Sequence, residues 1–166
     1  LDATEGRGVD LVFDGVGGGS GPPNPNDPCQ RNDDGYTLAI NLGFTFNFYG
    51  VGYTQFYVAN DGYITFNNQY FGYSSTGFPV NGPAMIAPFW ADVDSRPKAS
   101  GVVWYRLDAN RLIVIWDHVG YYGQQTDKLN TFELIITNGA DPLAGTFPNP
   151  SGNNLCICYD DMQWTT

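Results

Sequence analysis

Two carboxylates at alternate positions, Asp92 and Asp94, close the stretch Ala84-Met85-Ile86-Ala87-Pro88-Phe89-Trp90-Ala91-Asp92-Val93-Asp94. Alternation places both acids on one side of an extended chain, and Asp-x-Asp is a common way of offering oxygen ligands to a hard cation such as calcium. Two further acid pairs invite the same reading: Asp33 and Asp34 beside Asn32, and Asp160 with Asp161. None sits in the twelve-residue helical calcium loop, and the competing reading of all three is solvated acids at the ends of strands. A glycoside hydrolase needs two carboxyl groups roughly 5 to 10 Å apart across the scissile bond. Asp92 with Asp160 or Asp161 satisfies that no better than many acid pairs in so acidic a chain. His118 has no Ser or Cys partner in a recognisable motif, and Gly17-Gly18-Gly19 precedes no helix. Nucleophilic and phosphate-loop chemistry therefore lack footing, and the chain reads as a non-enzyme.

Two other sets of side chains bear on chemistry. Cys156 and Cys158 stand two apart, so they point the same way from a strand. Cys29 can bond only one of them, leaving the odd thiol free, capped or joined to another chain. The expected disulfide, Cys29 with Cys156 or Cys158, anchors the start of the domain to its last strand. With no other Cys and only His118 available, a closed four-ligand zinc site is not expected. Aromatic residues suited to stacking on sugar rings are Tyr70, Phe71 and Tyr73 in one loop and Tyr121 and Tyr122 before Gly123; core or inter-subunit packing is the plainer reading of each.

The elements that must position these groups are strands. Aromatics make up 16% of the 166 residues, charged residues only 14%, and 21 Gly with 11 Pro supply turn chemistry every few residues. A net charge of −10 opposes binding to nucleic acid or an anionic membrane. No apolar run approaches the ~18 residues of a spanning helix. The first residue is Leu1 without a preceding signal sequence, as in a processed product or excised fragment. Val9-Asp10-Leu11-Val12-Phe13 alternates with Val9, Leu11 and Phe13 on one face, and residues 15–28 form a Gly/Pro linker. Strands are expected over Tyr36–Ile40, Phe44–Tyr49, Tyr53–Ala59 and Tyr63–Phe66. The 84–94 stretch is expected to form a buried strand, followed by Gly101–Arg106, Arg111–Val119, Thr131–Thr137 and Leu155–Tyr159. Residues 67–83 read as a long surface loop. About nine strands with regular turn signals predict a two-sheet antiparallel β-sandwich over residues 29–166, with residues 1–14 as a separate strand.

Several segments resemble one family, the nidogen-like (NIDO) extracellular domain. They are Phe46-Asn47-Phe48-Tyr49-Gly50, Val58-Ala59-Asn60-Asp61-Gly62-Tyr63-Ile64-Thr65-Phe66, the run from Ile86 to Asp94, Asp127-Lys128-Leu129-Asn130-Thr131-Phe132, and Asp161-Met162-Gln163-Trp164-Thr165-Thr166. The resemblance implies a secreted or cell-surface, non-catalytic module of matrix and adhesion proteins, with no catalytic residues to carry over. In similar sequences the Gln-Trp-Thr-Thr element leads to a glycine-rich turn and one more strand, which this chain lacks. Val9 to Val16 is therefore expected to fill an open strand position, in its own domain or in the next subunit. Copies of the chain are then its principal partners, building a homopolymer by strand exchange. The rival reading is a glycan- or matrix-binding module, with calcium as the only cofactor implied.

Overall fold

The computed structural model describes residues 9–10, 31–140 and 154–165. Ten strands appear: β1 (Val9–Asp10), β2 (Ile40–Phe48), β3 (Val51–Ala59), β4 (Tyr63–Thr65), β5 (Met85–Ile86), β6 (Val93–Asp94), β7 (Val102–Asp108), β8 (Arg111–Tyr121), β9 (Gln125–Thr137) and β10 (Asn154–Met162). No helix occurs among the described residues. The strands form two antiparallel sheets, one ordered β1-β7-β8-β9-β10 with β6 also on β8, the other β2-β3-β4-β5. The fold is an all-β sandwich.

Alternation explains the burial. In β8, Leu112, Val114 and Trp116 face the core, and in β9 Phe132, Leu134 and Ile136 do the same; all six are wholly buried. Leu42, Phe46, Phe56, Val58 and Ile64 meet them from the second sheet. Phe132 lies at the centre, stacked 5.0 Å from Trp116 and tilted 5.4 Å from Phe89. Trp116 Nε1 donates to the carbonyls of Ala59 and Asn60, tying the two sheets together.

Three local expectations change. The β2–β3 turn falls at Tyr49–Gly50, both with positive φ (49° and 83°), as a tight primed hairpin turn requires, so Val51 begins a strand. Tyr36 makes only an isolated bridge to Ala59. Most consequentially, residues 84–94 are not one strand. Met85–Ile86 belongs to one sheet and Val93–Asp94 to the other, and the chain between them crosses from sheet to sheet. Pro88, lacking an N–H, stands where the first ladder stops.

At the N-terminal side, Val9 pairs with Tyr105 and Asp10 with Trp104 in the same chain. Leu11, Phe13, the 15–28 linker and Cys29 lie outside the described residues. Arg31 Nη1 lies 2.5 to 3.1 Å from the carbonyl oxygens of Ser95, Pro97, Ser100 and Gly101.

Truncating Phe132 removes the ring that both Trp116 and Phe89 pack upon. Phe132→Ala should lower unfolding free energy by about 3–5 kcal/mol, read from denaturant titration with an unchanged slope.

Candidate functional site

The site is built on the turn Asn60-Asp61-Gly62, which takes the place of a strand partner for the crossing segment. Phe89 N donates to Gly62 O, Ala91 N to Asp61 O, and Val93 N to Asp61 Oδ1. Asn60 Nδ2 returns a bond to Val93 O. Gly62 has φ +80°, and a Cβ there would fall 1.8 Å from Phe89 O, so only glycine lets the crossing chain lie so close. With the N–H groups of Phe89, Ala91 and Val93 engaged, the extended alternation survives without a regular ladder. The segment is fixed further by Ser95, whose Oγ accepts from Asn32 N and lies 3.2 Å from Asn60 Oδ1.

This arrangement gathers acids from distant parts of the sequence. Asp33, Asp34 and Asp92 each place a carboxylate oxygen within 4.8 Å of the others. Two oxygens on one calcium ion, each at ~2.4 Å, lie at most about 4.8 Å apart, so the trio has the span of a single-ion site. Asp34 takes φ +58°, a left-handed conformation that Asp tolerates. Asp33 Oδ1 is buried with no hydrogen-bond partner, while its Oδ2 is 2.7 Å from Arg96 Nη2. An orphaned carboxylate oxygen among other carboxylates is the donor set that a hard cation satisfies.

Asp94 is placed differently from Asp92. Fully buried, it is gripped by Arg96 through Nε at 2.9 Å and Nη2 at 2.6 Å, and accepts the N–H of Gln124 at 2.9 Å. Its charge is already matched, so the alternate pair divides into one ligand candidate and one structural ion pair. Burial, followed by the charge of Asp94, pushes the Asp33 carboxyl up to about 6 against the lowering effect of Arg96. Burial, then Asp34 and Asp94, pushes Asp92 up to about 6 as well. Burial, then Asp34, holds Asp61 well above the usual carboxylate range. Asp61 and Arg96 escaped sequence reasoning. Asn-Asp-Gly reads as an ordinary turn, and nothing local signals that its Asp is buried against the acids.

The remaining candidates separate. Phe71 and Tyr73 are half-exposed on the long loop and Tyr122 is 71% exposed, with its N–H on Asp92 O. Tyr70, by contrast, packs edge-on against Tyr63 and Trp90 and serves to pin that loop. Tyr121 lies on Trp164 and donates its hydroxyl to Asp127. Phe78, exposed beside Trp90, is an aromatic the sequence reading passed over. His118 Nδ1 lies 2.5 Å from Asp117 Oδ1 on the surface. Cys156 and Cys158 are free thiols in the structure. Asp160 and Asp161 are exposed on β10, away from the trio in sequence and pairing.

A family model described as NIDO related matches residues 23–149. Among curated proteins the chain is similar to Nidogen of Drosophila melanogaster, 29% identical over 145 residues, covering 72% of this chain and 11% of that protein. It is 30% identical over 161 residues to Alpha-tectorin of Mus musculus, covering 81% of this chain and 7% of that protein. Alpha-tectorin of Homo sapiens is 29% identical over 161 residues, with the same coverage of 81% and 7%. The chain thus spans only 7–11% of the length of these relatives. No solved structure matches it significantly.

The raised carboxyls set a pH dependence. Asp33 and Asp92 lose their protons near 3.8 when unfolded and near 6 when folded, so the folded chain binds more protons between those values. Stability from these groups is complete below the lower value and is lost as pH rises through the upper one. In chelator-treated protein the Tm should fall across this interval, and Asp92→Asn should shrink the fall; thermal unfolding at stepped pH checks both.

Proposed function

The chain belongs to the NIDO-related family, and from that premise we propose that it is a non-catalytic structural module of an extracellular matrix. It assembles with copies of itself by adding the N-terminal strand of one copy to the sheet of the next. The observation behind this reading is the pairing, within one chain, of Val9 with Tyr105 and Asp10 with Trp104, which marks the β7 edge as one that accepts this strand from its own copy or from a neighbour. β7 pairs with β8 along its whole length, and among the described strands only β1 lies on its other side. An edge of open N–H and C=O groups is a template for an added strand. The segment beginning at Val9 carries the apolar alternation to exploit it, at about 2 kcal/mol for each side chain buried and ~1 kcal/mol for each ladder hydrogen bond. Donor and acceptor lie in different parts of one chain, so the contact between copies is heterologous and need not close.

Removing residues 1–16 should abolish assembly in sedimentation and electron microscopy and leave a less stable monomer. A synthetic peptide of residues 1–16 should then restore the lost Tm. A truncated chain that assembles as the full one does would overturn strand addition.

A second reading is favoured by the orphaned Asp33 Oδ1 within the acid trio. Asp33, Asp34 and Asp92 hold calcium, and the ion braces the crossing segment for a glycan or matrix partner stacking on exposed aromatics such as Tyr122. Calcium at millimolar concentration should raise the Tm by several degrees, since a ligand at ~100 times its Kd adds ~2.7 kcal/mol. The rise should vanish in Asp92→Asn, whereas an equal rise in that variant would remove the trio from the site.

A further inference from the structure

Cys156 and Cys158 take part in neither the acid corner nor strand addition. Between them on β10, Ile157 packs against the core, so the two thiols point to the opposite face of the sheet. Across the ladder Cys156 faces Ile135 and Cys158 faces Glu133. Their Sγ atoms are 3.4 Å apart, Cys156 being exposed and Cys158 half-buried. β10 is the last strand of its sheet among the described residues. Two sulfurs in contact on an exposed face are poised for two-electron oxidation.

We propose that Cys156 and Cys158 form a reversible dithiol–disulfide pair, a thiol-exchange site that links this face of the sheet covalently to exposed thiols of other protein chains. The oxidant is a small disulfide of the glutathione class. The Cys156 thiolate attacks one of its sulfurs, forming a mixed disulfide and releasing one small thiolate. Cys158 then gives its proton to solvent and attacks Cys156 Sγ, releasing the second. The protein dithiol is oxidised by two electrons and the small disulfide is reduced to two thiols. A thiolate of another chain can next attack the pair, bonding to one sulfur while the other leaves as thiolate.

Geometry makes the bond exchangeable rather than permanent. Residues two apart on a strand have Cα atoms about 6.7 Å apart. Disulfides span roughly 4.4–6.8 Å and favour ~5.5–6 Å, so this one closes only at its stretched limit. Strained, exposed disulfides are the labile ones. In the dithiol form, burial, contact with Cys156 and the nearby Glu133 carboxylate push the Cys158 thiol up to about 11, so Cys156, the more exposed of the two, is the sulfur that meets the small disulfide first.

The inference does not depend on strand addition and survives its failure. The test is differential alkylation with peptide mass mapping, on the full chain and on Cys29→Ser. Oxidised glutathione should remove both alkylatable thiols of Cys29→Ser without leaving a glutathione adduct, and reduced glutathione should restore both. Cys156→Ser and Cys158→Ser should each retain a stable adduct on the remaining thiol. Two independent adducts in Cys29→Ser, persistent free thiols, or a permanent bond from Cys29 to either cysteine in the full chain would each sink the proposal.

Discussion

The structure depends on a turn that behaves as a strand. By accepting the N–H groups of Phe89, Ala91 and Val93, Asn60-Asp61-Gly62 satisfies a backbone that passes from one sheet to the other, between the end of the first ladder and the start of the second. Buried backbone groups without partners cost on the order of 1–3 kcal/mol each. A crossing segment this deep is therefore stable only if something stands in for a neighbouring strand. Everything at the corner follows from that substitution: Trp90 turns toward Tyr63 and Tyr70, Ala91 seals the core, and Asp92 emerges beside Asp33 and Asp34.

Electrostatics at the corner are deliberately unbalanced in one respect. Five acids neighbour Arg96, and Asp94 takes most of it through two-pronged contact. Such a fork is the strongest ordinary arrangement of an ion pair, so what remains for Asp33 is a single contact through one oxygen. Burial, with the charges of the neighbouring acids added to it, accounts for the elevated proton affinities of Asp33 and Asp92. Protons and a hard cation compete for the same lone pairs there, so any calcium affinity at this corner weakens as pH falls through 6.

Much of the fold was legible because β-structure writes itself in alternation: Leu112 to Trp116 and Phe132 to Ile136 display their core face at every second residue. The acid corner was half legible. Asp33, Asp34 and Asp92 all stood out as acids near strand ends, but only tertiary contact brings residues 33 and 92 together. The split between Asp92 and Asp94 was hidden, because it depends on which of two alternate carboxylates Arg96 can reach. The crossing of residues 84–94 was hidden for a related reason. An apolar run ending in a polar corner has the same periodicity whether its hydrogen bonds go to a strand or to a turn.

Arg31 gives the domain a mechanical property. Its guanidinium, through Nη1 alone, gathers four carbonyl oxygens from the loop between β6 and β7. The two N–H groups of Nη1 are shared among these oxygens, so a pull on Arg31 is spread over the loop's backbone and passed through Gly101 into β7 and the central β8. Bonds sharing a load in parallel resist far better than bonds opened one after another. Arg31 is placed as a load-spreading anchor rather than as a seam that unzips.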